Sequence, residues 1–289
     1  MAPIICPTCG KPIRSAAGCS SCKNQGASTA ATSLSGATWE YGKQEAAYER
    51  MFRWFALPTA LVVAFLVAHM GMGHALMRTF LSMWLHELGH ASAAWLCGFP
   101  AFPGPWFTPI GQERSYLLAL GLAVALAYGG YRAWRGSYRA WAMVALLCML
   151  TQTVCTFALS RRTAEAFVLF LGDGGGMILG CLLMCSFYLP AHHKFRADWL
   201  RWGFLVIGAA SFADPFSTWW TARRDQDVIP FGENEGSGPS DPSRLADFHG
   251  WSTEQIVHRY VILGILCLLG LAIVYALGLL RQSTKPASN

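Results

Sequence analysis

The sequence predicts an all-α fold, a polytopic bundle of about six or seven transmembrane helices preceded by a small zinc ribbon. Only 13% of the 289 residues are charged and 54% are hydrophobic, whereas about 25% of the residues of a soluble domain are charged. The hydrophobic residues occur in blocks of roughly 20, which is the length that a helix needs to cross a bilayer. These observations exclude a secreted or cytosolic globular enzyme and predict an integral, multi-pass membrane protein.

The amino-terminal segment contains two Cys-x-x-Cys pairs and is predicted to be a zinc-ribbon-like knuckle over residues 1–25. Each pair can supply two thiolates to one tetrahedral metal ion. A segment this short cannot bury a hydrophobic core, so a structural zinc ion would supply its folding free energy. Four cysteine ligands leave no open position for chemistry, so we expect the knuckle to dock a cytoplasmic protein partner. The predicted ligands are Cys6, Cys9, Cys19 and Cys22.

The rest of the chain is predicted to form a linker with an interfacial helix over residues 26–50 and a transmembrane domain over residues 51–281. The spans must be helical, because lipid offers no hydrogen bonds to exposed backbone groups. A small excess of Lys and Arg places the amino terminus in the cytoplasm. Basic residues beside anionic lipid account for the net charge of +6, so no nucleic-acid partner is expected. The seven predicted spans are residues 52–70, 78–98, 115–134, 140–159, 164–189, 200–220 and 256–280.

The second predicted span contains the sequence HELGH, which runs from His86 to His90. Residues four apart share one face of a helix, so both imidazoles can bind one metal ion. Glu87 then lies beside that ion, where it can take a proton from a metal-bound water. Ionisable groups in the middle of a membrane are costly and mark functional sites. The pattern therefore predicts a catalytic zinc site.

A catalytic zinc ion usually has three protein ligands, so a third is expected from another part of the chain. Asp173 lies inside the fifth predicted span, where an unpaired carboxylate would be costly. Gly172, Gly176 and Gly180 recur beside it at intervals of four, which allows another helix to approach closely. Asp173 is therefore predicted as the third ligand. Asp214, before Pro215 near the end of the sixth span, is the alternative.

The two motifs, residues 86–94 (HELGHASAA) and 171–175 (LGDGG), resemble those of the site-2 protease family of intramembrane zinc metalloproteases. The resemblance implies that His86, His90 and Asp173 hold zinc and that Glu87 is the catalytic acid and base. It also implies a transmembrane or membrane-associated protein substrate. The chain departs from the family pattern, because residues 165–172 lack the Asn and Pro that commonly precede the Asp. Two predicted spans, rather than one, also separate the motifs, so we predict a divergent member.

Two other functions remain open from the sequence. A prenyl-protein-type membrane protease also uses HExxH but takes a glutamate as its third ligand. Only Glu113 and Glu165 lie between the second and fifth predicted spans, and neither is within that family's second motif. A non-enzymatic metal-binding or transport protein would instead pass the ion along several polar residues, with paired broken helices.

Overall fold

The computed structural model describes residues 47–189, 193, 198–234 and 238–283, which are mostly helical. The predicted zinc ribbon, with Cys6, Cys9, Cys19 and Cys22, and nearly all of the predicted linker lie outside the described residues. They therefore remain predictions. The described part of the chain confirms the predicted all-α class, apart from one two-residue hairpin.

Most of the described helices follow one another closely, with longer connections at residues 97–115 and 222–240. In chain order they are α1 (Ala47–Ala68), α2 (Gly71–Met77), α3 (Met83–Leu96), α4 (Tyr116–Arg135), α5 (Arg139–Thr153), α6 (Arg161–Phe170), α7 (Asp173–Cys185), α8 (Asp198–Thr221), α9 (Asp241–Asp247) and α10 (Thr253–Ser283). Two π-helical turns, Arg78–Ser82 and Val154–Ala158, precede α3 and follow α5. The hairpin pairs β1 (Glu233–Asn234) with β2 (Gly238–Pro239) just before α9.

Four of the described helical segments are long and apolar enough to cross a membrane: Ala47–Ala68, Tyr116–Arg135, Arg139–Ala158 and Thr253–Leu280. Their most apolar windows are only 6% to 22% buried inside the protein, so most of their apolar side chains face outward. Helices α6 and α7 meet the same criteria only as a pair, which is bent by 55°. The structure thus supports four to five spans by length and composition, and the predicted six or seven remain a prediction.

Close backbone contacts hold α3 against α7. A Cβ atom added at Gly89 of α3 would lie 2.1 Å from the backbone oxygen of Leu171, and one added at Gly175 of α7 would lie 2.5 Å from the Cα atom of Gly89. Gly180 and Gly208 make a similar contact between α7 and α8, where a Cβ on Gly180 would lie 2.7 Å from the oxygen of Gly208. Of the small-residue face that the sequence predicted beside Asp173, Gly180 therefore lies in a close contact between helices, whereas Gly172 faces the rings of His86 and His90.

Helix α9 begins with a local capping arrangement. Ser240 precedes it with an extended backbone, and its Oγ accepts a hydrogen bond from the backbone N–H of Ser243. Pro242 follows in the first turn, where a missing N–H costs nothing. This cap fixes the position of Asp241, the first residue of the helix.

Candidate metal centre

Helix α3 carries His86 and His90 on one face, as the sequence predicted. Their Nε2 atoms lie 3.1 Å apart. Both side chains are mostly shielded from solvent, with 15% and 9% of their surface exposed. The two imidazoles are therefore positioned to bind a common ion.

Asp241 supplies a third group at the same point. Its Oδ2 atom lies 3.3 Å from Nε2 of His86 and 3.0 Å from Nε2 of His90. Among the described residues, His86, His90 and Asp241 form the group whose ligand atoms lie within 4.8 Å of one another. The third donor therefore comes from α9, far along the chain from α3.

The other nitrogen of each imidazole fixes the tautomer. Nδ1 of His90 lies 2.8 Å from the backbone oxygen of Val168, which can only accept, so this nitrogen carries the proton. Nδ1 of His86 donates in the same way to Oδ1 of Asp173 at 2.9 Å. Both Nε2 atoms then point a lone pair at the carboxylate of Asp241. Three electron-pair donors that meet without a positive charge repel one another, so the arrangement fits a bound cation.

The distances also fit the geometry of zinc. A tetrahedral zinc ion with bonds of 2.0–2.1 Å separates its ligand atoms by roughly 3.3 Å. The three observed separations lie between 3.0 and 3.3 Å. Two imidazoles and one carboxylate are, moreover, a ligand set that catalytic zinc sites use, with the fourth position left open.

Asp173, which the sequence predicted as third ligand, lies beside this group. Its Oδ1 accepts from Nδ1 of His86, and its Oδ2 accepts from Nε1 of Trp219 at 2.8 Å. Trp219 is fully buried and stacks on Tyr260 with ring centroids 4.3 Å apart. The structure thus brings Asp173 to the nitrogen that faces away from Asp241. This is the position of a residue that orients a metal-binding histidine.

Asp214, the alternative third ligand, lies in a separate polar network. This carboxylate is only 1% exposed. It accepts hydrogen bonds from Nε2 of His74 at 2.7 Å, from Nη1 of Arg78 at 3.1 Å and from the hydroxyl of Ser82. The structure does not place it with His86 and His90.

Glu87 is buried, with 4% of its surface exposed, and it lines the same cavity as the two histidines. The cavity has a volume of about 290 Å³. Thr108 donates from Oγ1 to the backbone oxygen of Glu87 at 3.0 Å. The HExxH glutamate therefore borders a partly open cavity that can hold water and part of a substrate.

The proline-rich segment after α3 forms one wall of this cavity. Ala101 and Ile110 pair as an antiparallel bridge, and Trp106 and Phe107 line the cavity while 62% and 57% of their surfaces remain exposed. The structure shows a short ribbon beside the metal centre.

Charge near the site also perturbs the pKa of Asp241. Burial alone would raise the pKa of this carboxyl group, but when the imidazoles are protonated, the charge of His90 and hydrogen bonds from His86 and His90 outweigh burial. The pKa is therefore held well below its usual range, so the carboxylate stays ionised and available as a ligand.

Sequence reasoning missed Asp241 because it lies in a polar stretch that reads as a solvated linker. The available signal was local: Ser240, Asp241 and Pro242 form the start of a capped helix. Nothing in that signal points to a metal, because the contact with α3 is made only in the folded chain.

Comparison of the chain with protein-family models, with curated proteins and with solved structures finds no match.

Proposed function

We propose that the protein is a membrane-embedded zinc endopeptidase that hydrolyses a transmembrane or membrane-associated protein. One observation carries the proposal. Nε2 of His86, Nε2 of His90 and Oδ2 of Asp241 converge within hydrogen-bonding distance of one another, and the buried Glu87 borders the same cavity. The resemblance of the two motifs to site-2 proteases supports the same reaction. It implies Asp173 as the third ligand, whereas the geometry favours Asp241.

His86, His90 and Asp241 would hold the catalytic zinc ion, and Asp173 would orient His86 through Nδ1. When bound, zinc supplies a Lewis acid that polarises the peptide carbonyl and brings the pKa of a water near neutrality. A second, structural zinc ion is proposed for Cys6, Cys9, Cys19 and Cys22, in a module that docks a cytoplasmic protein.

Glu87 would move the protons of the reaction. Its carboxylate accepts a proton from the attacking water and later passes it to the leaving amine, so that one group is base and then acid. The position after His86 on α3 keeps Glu87 next to the metal centre, while burial excludes bulk water that would compete for the proton. Proton transfer requires a glutamate at this position, whereas metal binding alone would not.

The apolar helices of the protein indicate where the reaction takes place. The four spanning segments present their apolar side chains outward, as proteins in lipid do. A substrate helix protects its carbonyl groups with backbone hydrogen bonds, so it must unwind locally before it can be cut. The cavity beside Trp106 and Phe107 offers room for such an unwound segment.

The test separates an enzyme from a metal-binding or transport protein. The purified chain is assayed in lipid with fluorescently labelled casein and with a set of transmembrane peptides, and zinc is quantified in the same samples. Glu87→Gln should keep the zinc bound at the centre but lose cleavage by about 10²- to 10⁴-fold, because it loses general acid–base catalysis.

The exposed Glu113→Gln is the matched control and should behave as the wild type. Cleavage by Glu87→Gln at the wild-type rate would refute the proposed role of the glutamate. Bound zinc without cleavage in the wild type would favour the transport or scaffold alternative.

A further inference from the structure

We infer that Arg78 is a substrate-anchoring residue that binds a carboxylate of the peptide about two residues from the bond that is cut. The inference rests on the proposed function, because it concerns the substrate of the same cavity. Arg78 lines that cavity together with His86 and Glu87, although the metal centre and the proton transfer leave its charge without a role. A cation in an otherwise apolar part of a chain is costly and calls for a function.

The position of Arg78 on the helix depends on the π-helical turn Arg78–Ser82. Eight residues of regular α-helix would rotate Arg78 by roughly 80° away from His86, at about 100° per residue. A π-helical turn contains one additional residue, which reduces that offset to roughly 20° in the opposite sense. The turn therefore brings Arg78 onto the face that carries His86 and His90. Turns of this kind are frequent at functional sites.

Asp214 holds the guanidinium group from one side only. Nη1 of Arg78 donates to Oδ2 of Asp214 at 3.1 Å, and no other acceptor for Arg78 is found among the described residues. Asp214 is itself fixed by His74 and Ser82. The side chain of Arg78 is 35% exposed, so the remaining N–H donors are accessible from the cavity. A fork of parallel N–H groups matches the two oxygens of a carboxylate.

The distance from the metal centre decides which part of the substrate Arg78 can reach. Oδ2 of Asp214 accepts from both Arg78 and Ser82, so the guanidinium group lies near the hydroxyl of Ser82. Ser82 is about one helical turn, roughly 5.4 Å, from His86. An extended peptide advances about 3.3–3.6 Å per residue. A separation of about one helical turn corresponds to roughly two residues of extended peptide, so Arg78 would reach a group about two residues from the cut carbonyl.

Two sources of carboxylate occur in a peptide: the side chain of Asp or Glu, and the carboxyl terminus. The first would give an endopeptidase that prefers an acidic residue near the cleavage site. The second would give an enzyme that trims the end of a chain. Both place the same functional group on Arg78, and the experiment distinguishes them.

The experiment measures the binding of peptide hydroxamates to the zinc-loaded full chain in lipid nanodiscs. One series has the peptide before the hydroxamate and the other has it after, and each contains paired ligands with Asp or Asn at the second residue. The series with the peptide after the hydroxamate also contains pairs with a free or an amidated carboxyl terminus. The wild type should bind the carboxylate member of one pair at least tenfold more tightly than its neutral partner. In Arg78→Gln this preference should disappear, while affinity for the neutral ligand and zinc content stay unchanged.

Arg244→Gln and Arg132→Gln are the comparison variants. Arg244 also lines the cavity, whereas Arg132 is an exposed residue of α4; both variants should keep the preference. If Arg78→Gln does not fold, the double variant Arg78→Gln/Asp214→Asn removes the unpaired buried charge and gives the same readout. The inference is overturned if the wild type binds each carboxylate ligand no better than its neutral partner, or if the preference is lost in Arg244→Gln instead.

The two proposals fail in different ways. A wild-type protein that holds no zinc at the centre and binds none of the hydroxamates would contradict the metal centre itself. A protein that binds the neutral hydroxamates through zinc but shows no carboxylate preference would contradict only the anchor. Preference for Asp identifies an internal acidic residue, and preference for the free carboxyl terminus identifies a chain end.

Discussion

The roles of Asp241 and Asp173 can be separated by removing one carboxylate charge at a time. Asp241 is the proposed direct ligand, because its Oδ2 faces both Nε2 atoms. Asp173 is the proposed orienting residue, because it contacts His86 at Nδ1. Asp241→Asn and Asp173→Asn are nearly isosteric, so each removes charge with little change in volume. The two variants should therefore differ in zinc affinity.

The expected loss for Asp173→Asn follows from its two hydrogen bonds. A hydrogen bond to a charged group contributes about 1.5–3 kcal/mol, and outer partners of a metal ligand change metal affinity by about 10- to 100-fold. An Asn side chain has one oxygen, so it can accept from His86 or from Trp219 but not from both. If the Asn oxygen still accepts from His86, the hydrogen bond remains but the carboxylate charge is gone. We then expect the zinc affinity to fall about tenfold. Asp241→Asn removes a ligand charge and should lose more than 100-fold.

The assay is a competition for zinc between the purified chain and a chromophoric chelator in detergent. Asp247→Asn, an exposed Asp on the same helix α9, is the matched control and should bind zinc as the wild type does. Equal or greater loss in Asp173→Asn than in Asp241→Asn would refute the assignment and restore Asp173 as the third ligand. Wild-type affinity in Asp241→Asn would have the same consequence.

Two further predictions concern packing and pH. Gly89→Ala should lower both the melting temperature in detergent and the zinc content, since its Cβ would meet the oxygen of Leu171 at 2.1 Å. The control is Gly121→Ala in α4, where no atom lies within 4 Å, and it should be neutral or slightly stabilising. Equal effects of the two substitutions would contradict the packing argument. The hydrogen bond to Asp214 raises the pKa of His74, although burial opposes it. The resulting stabilisation is present below the ordinary value of 6.5 and is lost as the pH rises through the raised pKa. Wild-type melting temperature should therefore fall over that range more than that of His74→Gln, and parallel curves would contradict the link.

The histidine pair could be predicted from sequence because its geometry is local. Positions 86 and 90 share a face of any helix, whatever surrounds them. The polar network at Asp214 and the contact of Asp241 with α3 depend on pairs of residues more than 100 positions apart. No periodicity in the sequence records such a pairing, so the identity of the third converging group could not be predicted.

The fold also has parts that the sequence predicts and parts that it does not. Hydrophobic length alone predicts α4 and α10, because each is a continuous apolar helix. The fifth predicted span, residues 164–189, is instead two helices bent by 55°. The bend lies at Leu171 and Gly172, and a Cβ on Gly172 would lie 2.6 Å from the ring of His90. The approach of the histidine rings to the backbone therefore accounts for a glycine at this point, and hydropathy cannot detect such a contact.

The three converging side chains come from distant parts of the chain, so a bound metal ion would also stabilise the fold. An ion shared by His86 and Asp241 would act as a cross-link between positions 155 residues apart. Closing a loop of that length removes unfolded-state entropy worth about 5 kcal/mol in the chain-entropy description of cross-links. The helices of the core keep their own packing without it, whereas α9 is a seven-residue helix that packs through three buried residues, Pro242, Ser243 and Leu245. Chelation should thus loosen the segment around α9 first, and limited proteolysis of the stripped protein should cut there before it cuts the bundle.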